Sequence, residues 1–305
     1  MTPNEKNERI RKIIEADHRR WLRLSVFQNR ELETLYRERG NNLRVSLEDE
    51  AGFGGELRLS QMRSLENIVE SHIRNMSRYR EFLFTGAFLA AASSGSARIA
   101  RISKIVPEVE RVLPRLSSID RMAVDWGIRF VPEDGLSLSA RLWREDQIAQ
   151  GRILQTLHAS LLDREALHKT TAELLHGNYT VETARAITKA IEKKGAPEVA
   201  KSVGNLFKPT APKNIVFNAK RILITETNRI NRHSFRLTCG QTPGVIGMRF
   251  NLSSSHPRHD ICDEFAMDNS HGLGPGGYPL DNLPPNSAHP LCICFESPIF
   301  AWEAG

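Results

Sequence analysis

Thiol and imidazole side chains, which are preferred zinc ligands in proteins, are concentrated near one end of this sequence. Residues 256–295 hold three of the four cysteines and four of the ten histidines. In two places a histidine precedes a cysteine with two residues between them, a spacing that lets both side chains reach one ion. The pattern predicts a closed, structural zinc site. Its predicted ligands are Cys262, His289, Cys292 and Cys294, with His256 and His259 as alternates.

Two other interpretations of this segment remain open. Cys292 and Cys294 could face one side of a strand as small buried thiols without any metal. Carboxylates beside histidines are also typical of a hydrolytic metal site, which would make the protein a metal-dependent nuclease or toxin. However, Asp263 and Glu264 are equally suited to the acidic first turn of a short helix. The catalytic alternative would use His256, His259, Asp260 and Asp263.

The glycine-rich stretch at 272–279, GLGPGGYP, is predicted to be a structural turn. A phosphate-binding loop needs a strand before it and the start of a helix after it. Here Tyr278 and Pro279 lead into more loop. The stretch therefore does not favour a nucleotide site.

The composition is that of a folded protein: 305 residues, 40% hydrophobic and 26% charged, with a formal net charge of +6. Four cysteines do not make a disulfide framework, and the charged beginning of the chain shows no secretory signal, so synthesis in a reducing cytoplasm is expected. The uncharged stretch at 82–97 is too rich in Ala, Ser and Gly for a membrane span. We expect a buried or interface helix there, and no stable membrane anchoring.

Helical periodicity dominates the first 230 residues. Apolar residues at helical spacing occur from Ile10 to Leu24 and from Met62 to Met76, with a turn or link at 48–56. Further helices are predicted at Ile99–Val112, at Ser139–His176, from Thr180 onward, and at Asn214–Phe235 after a proline-containing linker at 207–213. Beyond them, 244–252 alternates with the period of a strand, and 292–300 could be a second strand.

The predicted fold is therefore mainly α, with an elongated helical body and a small α+β, loop-rich C-terminal module. A module with so little apolar area needs a staple to stay ordered. The predicted regions are an N-terminal helical region (1–98), a helical body (99–236) and the C-terminal module (237–305).

Charge changes sharply at the last boundary. Residues 185–236 hold twelve Lys and Arg against three acids, whereas 237–305 hold two Arg against seven acids. A basic stretch attracts polyanions without specifying which, and a solvated helical face is the alternative explanation. The candidate DNA-facing residues are Lys213, Lys220, Arg221, Arg229 and Arg232.

The order of several motifs resembles the phage head morphogenesis, or minor capsid, family typified by the Mu F-like proteins. A long helix and a short helix precede NAKRILITETNRI (218–230), which is followed by a strand, DIC (260–262), the GLGPGGYP turn and HPLC (289–292). The likeness covers roughly residues 100–300. Many family members carry C-x-x-C after the aspartate, but Cys262 lacks that second cysteine. The positions that match the family pattern are Arg221, Thr225, Glu226, Asp260, Cys262, Gly272, Gly274, His289 and Cys292.

The resemblance implies a minor head protein without an established enzymatic activity. Such a protein is made in the bacterial cytoplasm and located in the virion head, inside the capsid or at the portal vertex. It supports head assembly, DNA packaging or DNA delivery. The implied partners are the portal protein, major capsid or scaffold proteins, and packaged double-stranded DNA bound without sequence specificity.

Overall fold

The computed structural model describes residues 1–51, 59–161, 203–208, 214–256 and 259–303. Within these ranges the chain is mainly helical and carries a small antiparallel sheet, which confirms the predicted fold class. The predicted helix beginning at Thr180, the end of the helix predicted to reach His176, and most of the links at 48–56 and 207–213 lie outside the described residues. The elements are α1 (Pro3–Ala51), α2 (Met62–Ala100), α3 (Leu116–Arg129), α4 (Leu138–Leu161), α5 (Ile215–Gly240), β1 (Val245–Asn251), α6 (Ile261–Met267), β2 (Gly277–Pro279) and β3 (Phe295–Phe300), with 3₁₀ turns at Leu59–Gln61, Pro107–Arg111, Leu113–Arg115 and Ala301–Glu303.

The prediction of a helix at Ile99–Val112 is wrong. Helix α2 continues to Ala100 and is followed by turns, and a 3₁₀ turn then begins at Pro107. Proline has no N–H to donate and its ring clashes with the carbonyl four residues earlier, so an α-helix cannot run through this position undisturbed.

The chain forms two compact units, and each is built from separate stretches of sequence. The predicted boundaries after residues 98 and 236 fall inside α2 and α5. Unit 1 consists of residues 1–30, 83–138 and 221–305, and unit 2 consists of residues 31–82 and 139–220.

In unit 1, α2 and α5 approach closely because α2 presents small residues. An added Cβ at Gly95 would lie 2.2 Å from the Asn231 carbonyl oxygen, so only glycine fits. The Asn231 side chain donates to the Ala91 carbonyl at 2.8 Å and accepts from buried Arg98 at 2.5 Å. One side of the uncharged stretch at 82–97 is thus buried in packing, as expected, whereas Phe82 and Leu89 on its other side are 82% and 47% exposed. No helix in the described ranges is long and apolar enough to cross a membrane.

The sheet of unit 1 has the order β2-β1-β3, and β1 pairs antiparallel with both neighbours. Met248 and Phe250 are buried, as the predicted alternation requires. Ile246 departs from it because the pairing with β3 shifts between Val245 and Gly247. A bulge of this kind moves the following side chains to the opposite face.

Two apolar clusters order the sheet. Phe250 and Tyr278 pack with Cys262, Cys292 and Cys294 in the smaller one. In the larger one, side chains of β1 and β3 pack with α1, the end of α2 and α5. The C-terminal strands are therefore held in place by helices from distant parts of the sequence. The buried members of this cluster include Ile10, Ile14, Ile99, Ile102, Phe235, Met248, Phe295 and Phe300.

In unit 2, a buried ion pair joins α2 to α4. Arg80 donates two parallel hydrogen bonds to Asp146, at 2.5 and 2.8 Å, and a further one to the Tyr36 hydroxyl at 3.1 Å. The Arg80 and Asp146 side chains are only 1% and 8% exposed. Removing one partner would leave a charge buried without compensation.

We expect Asp146→Ala to lower the free energy of unfolding by about 3–5 kcal/mol, measured by urea denaturation, because Arg80 loses its counter-ion. The double variant Arg80→Met with Asp146→Leu should recover most of that loss. The control is Arg74→Ala, which breaks an exposed pair with Glu70 and should cost under about 1 kcal/mol. Equal losses for Asp146→Ala and Arg74→Ala would contradict a structural role for the buried pair.

Candidate metal centre

Three thiols converge in the C-terminal part of unit 1. Cys262, Cys292 and Cys294 are buried, and their sulfur atoms all lie within 4.8 Å of one another. The Cys262 and Cys292 sulfurs are 3.6 Å apart. Two sulfurs on one tetrahedral zinc at about 2.3 Å lie roughly 3.8 Å apart, so this spacing suits a shared ion. The cluster could hold a metal.

Cys262 is positioned by a capping box at the start of α6. The Asp260 carboxylate accepts from the Cys262 backbone N–H at 2.8 Å, and Asp263 accepts from the Asp260 N–H at 2.8 Å. Reciprocal capping of this kind satisfies N–H groups that a helix leaves free at its first turn. Asp263 and Glu264 form the acidic first turn that the sequence indicated. The box fixes the backbone from which the Cys262 thiol projects.

His289 presents a ring nitrogen to the cluster. Its Nδ1 lies 2.8 Å from the Pro290 carbonyl oxygen, which can only accept, so Nδ1 carries the hydrogen. In the neutral ring, Nε2 then carries no hydrogen, and its lone pair faces the Cys262 sulfur at a distance of 3.3 Å. The same nitrogen is 3.2 Å from an Asp260 oxygen, so two lone pairs face each other. A metal ion between Asp260, Cys262 and His289 would remove that repulsion.

His256 approaches the cluster from another side. Its Nδ1 is 3.7 Å from the Cys294 sulfur, and its Nε2 is 3.0 Å from Asp263. A carboxylate that orients the second nitrogen of a histidine is usual around metal ligands. His259 is exposed. His289 and His256 are therefore the imidazoles that contact the thiol cluster, and each touches a different cysteine.

One face of α5 holds the segment that carries Cys292 and Cys294. Thr225 accepts from the Leu291 N–H at 3.1 Å, and Asn228 donates to the Cys292 carbonyl at 2.7 Å. Arg232 donates to the Cys294 carbonyl and, at 3.2 Å, to the Cys292 sulfur. Spacings of three and four residues place these three side chains on the same helical face.

The backbone at Leu291 shows how tightly the segment is held. Leu291 has φ of 65°, the left-handed region that non-glycine residues rarely adopt. Its N–H bond to Thr225 stabilises this conformation. Strain of this kind persists where the surroundings fix the backbone, and here it turns the chain immediately before Cys292.

The electrostatics of the cluster favour a thiolate at Cys292. Hydrogen bonds from the Cys262 and Cys294 thiols, together with the positive charge of Arg232, lower the pKa of Cys292. The hydrogen bonds to Cys292 and Cys294, together with burial, raise the pKa of Cys262. The thiolate is the form that binds metal, so the interactions that lower the pKa of Cys292 also suit it to be a metal ligand.

Two of the basic residues assigned to DNA contact do not face solvent. Arg232 is buried by its bonds to the cysteine segment. Arg229 is buried against Phe130 and pairs with Glu226 at 2.5 Å. Sequence shows that these side chains are charged but not that partners inside the fold enclose them.

The other basic candidates have different environments. Lys220 forms an ion pair with Glu33 in unit 2, and Arg221 is exposed. Lys213 lies outside the described residues. Sequence reasoning missed Asn228, although its spacing from Thr225 and Arg232 along α5 was a usable signal.

The glycine turn at 272–279 packs against the backbone of β1 and α6, the elements next to the thiol cluster. Gly272, Gly274 and Gly276 have φ of 70°, 80° and 68°, and an added Cβ at Gly276 would lie 2.7 Å from the Phe250 carbonyl oxygen. The turn leads into β2, where the Tyr278 hydroxyl donates to a carbonyl of α6 at 3.0 Å. It is a structural turn followed by a strand.

No family model, curated protein or solved structure matches the chain.

Asn228 links α1 to the cluster, because it also accepts from the Trp21 indole N–H at 2.7 Å. Asn228→Ala should lower the free energy of unfolding by about 1–3 kcal/mol, since it leaves a buried donor and a buried acceptor unpaired. Urea denaturation would measure the loss. The matched control is Asn41→Ala on the exposed side of α1, for which we expect a change within about 0.5 kcal/mol. Equal changes would show that the Trp21–Asn228–Cys292 connection contributes nothing.

Proposed function

We propose that the chain is a minor head protein of a phage or prophage, with a C-terminal module closed by a structural zinc ion. The observation that carries the proposal is that the motifs of the resemblance contact one another. Thr225 of the NAKRILITETNRI helix binds the backbone of HPLC, and Asp260 of DIC contacts His289. Motifs separated by up to 66 residues thus form one structural unit. This convergence supports the interpretation that the motifs belong to one fold and do not occur in this order by chance.

Zinc is the metal that the donors fit best. Three sulfurs and an imidazole are a usual ligand set of structural zinc, and neither calcium nor magnesium takes such ligands. We assign the fourth position to His289, which contacts Cys262, with His256, which contacts Cys294, as the alternate. Neither ring nitrogen lies within 4.8 Å of all three sulfurs, so metal binding would draw one of them inward. Four protein ligands leave no open position for substrate, which favours a structural role.

The proposed partners are the portal protein, capsid or scaffold proteins, and packaged DNA inside the virion head. DNA contacts would be made by exposed side chains such as Arg221, because Arg229 and Arg232 are enclosed. The contacts would be non-specific and sensitive to salt.

A nuclease or toxin is the second candidate, because His256, Asp260 and Asp263 also present ligand atoms within 4.8 Å of one another. Asp260 and Asp263 are at the same time engaged in the capping box of α6, and His259 is exposed. A carboxylate engaged in a capping box is less well placed to activate a water molecule, so the structural site is the first candidate.

The zinc assignment predicts about one zinc ion per purified chain by elemental analysis. Cys262→Ser should lose most of the metal and unfold at a lower temperature, because a hydroxyl is a poor zinc ligand. A chelator should destabilise the unaltered protein in the same way.

Cys239→Ala is the matched control, since Cys239 is a buried cysteine of the α5 end outside the cluster. It should keep its zinc. The structural zinc site would be refuted if the purified protein contained no metal and neither zinc nor a chelator changed its unfolding temperature. Metal-dependent cleavage of plasmid DNA that His259→Ala abolishes would favour the enzyme alternative.

The head assignment predicts that the purified chain associates with portal rings encoded by the same phage or prophage. Mixed samples should elute together in size-exclusion chromatography, while the chain alone elutes later. Portal rings from an unrelated phage are the control. A chain that elutes alone with its own portal and is absent from purified virions by mass spectrometry would contradict the assignment.

A further inference from the structure

The outward face of α1 between residues 19 and 30 combines exposed apolar side chains with arginines. Val26 and Phe27 are 52% and 56% exposed, although both are large and apolar. They border a concavity of about 350 Å³. We call this surface the α1 patch; it consists of Arg19, Leu22, Arg23, Val26, Phe27 and Arg30.

The patch lies opposite the face by which α1 joins its unit. Ile14, Trp21 and Gln28 are buried and recur every seven residues, so they define the inward side. Val26 and Arg30 point to the other side at the same helical period. Val26 and Phe27 are neighbours and are rimmed by charged side chains, an arrangement typical of a surface that binds another molecule.

The charge of the patch is of one sign. None of the described residues forms an ion pair with Arg19, Arg23 or Arg30. The stretch itself contains no acid. On one side of it, Asp17 is buried and already pairs with Arg20 at 3.2 Å and Arg101 at 2.8 Å; on the other, Glu31 is exposed next to Arg30. Among the described residues, the patch therefore presents three guanidinium groups without an ion pair around an apolar centre, with one carboxylate, Glu31, at its edge.

We propose that the α1 patch binds an acidic amphipathic helix of another protein. Such a helix covers Val26 and Phe27 with its apolar stripe and places carboxylates beside the arginines. A second copy of this chain would bring arginine against arginine. Duplex DNA would offset the charge but leave the apolar side chains against phosphate and water. The proposal stands independently of the zinc site and of the virion assignment.

The test uses the full chain and a labelled synthetic peptide of about three heptads, with leucine at the core positions and glutamate at the flanking ones. Fluorescence anisotropy should show binding at about 10 µM or tighter, weakening as salt is raised from about 50 to 300 mM. The control peptide replaces every glutamate by glutamine and should bind at least about tenfold more weakly. Duplex DNA is the second control.

Two double variants test the surface. Arg23→Glu with Arg30→Glu, and Val26→Ser with Phe27→Ser, should each weaken binding by about tenfold or more. The matched control, Arg63→Glu with Arg78→Glu, makes the same charge change on exposed arginines of α2 and should leave binding within about twofold.

Several outcomes would overturn the proposal. These are no peptide binding up to about 1 mM, equal binding of the glutamine peptide, and equal losses in the α2 variant. Competition by duplex DNA at lower concentration than the peptide would assign the patch to nucleic acid. Self-association that Val26→Ser with Phe27→Ser abolishes would assign it to a second copy.

Discussion

The segment before β3 has few backbone partners of its own, and the polar face of α5 supplies them. A buried carbonyl or N–H without a partner costs free energy comparable to a lost hydrogen bond. Thr225, Asn228 and Arg232 each satisfy one or more such groups. The positions of Cys292 and Cys294 follow from these bonds, and Cys262 meets them because the α6 capping box sets its direction. The thiol cluster is thus a result of hydrogen bonding around it.

The same helix also joins the module to the rest of unit 1. On another side of α5, Asn231 engages the small-residue surface of α2, while Phe235 enters the core shared with the sheet. The C-terminal strands therefore combine two sources of order. One is an apolar core formed with α1 and α2, and the other is the thiol cluster with its hydrogen bonds. A staple in this setting adds to a core that already exists.

Much of this was accessible from the sequence. Period-two alternation predicted β1, and the concentration of cysteine and histidine in residues 256–295 predicted that thiols meet there. Both signals are local and depend on residue type. The helix at Ile99–Val112 failed because its apolar period was given more weight than Pro107. The burial of Arg229 and Arg232 could not be inferred from the sequence. It depends on contacts with Glu226, with Phe130 and with a loop about 60 residues away.

The orientation of the Asn228 amide has a consequence for which residues this position tolerates. Its oxygen accepts from the Trp21 indole N–H and its nitrogen donates to the Cys292 carbonyl, so the amide fits in only one of its two orientations. Aspartate is nearly an isostere but has no hydrogen to give to the carbonyl when ionised. Spontaneous deamidation at this one side chain would therefore turn an attraction into a repulsion between two oxygens. The durability of the module over time depends on keeping that amide intact.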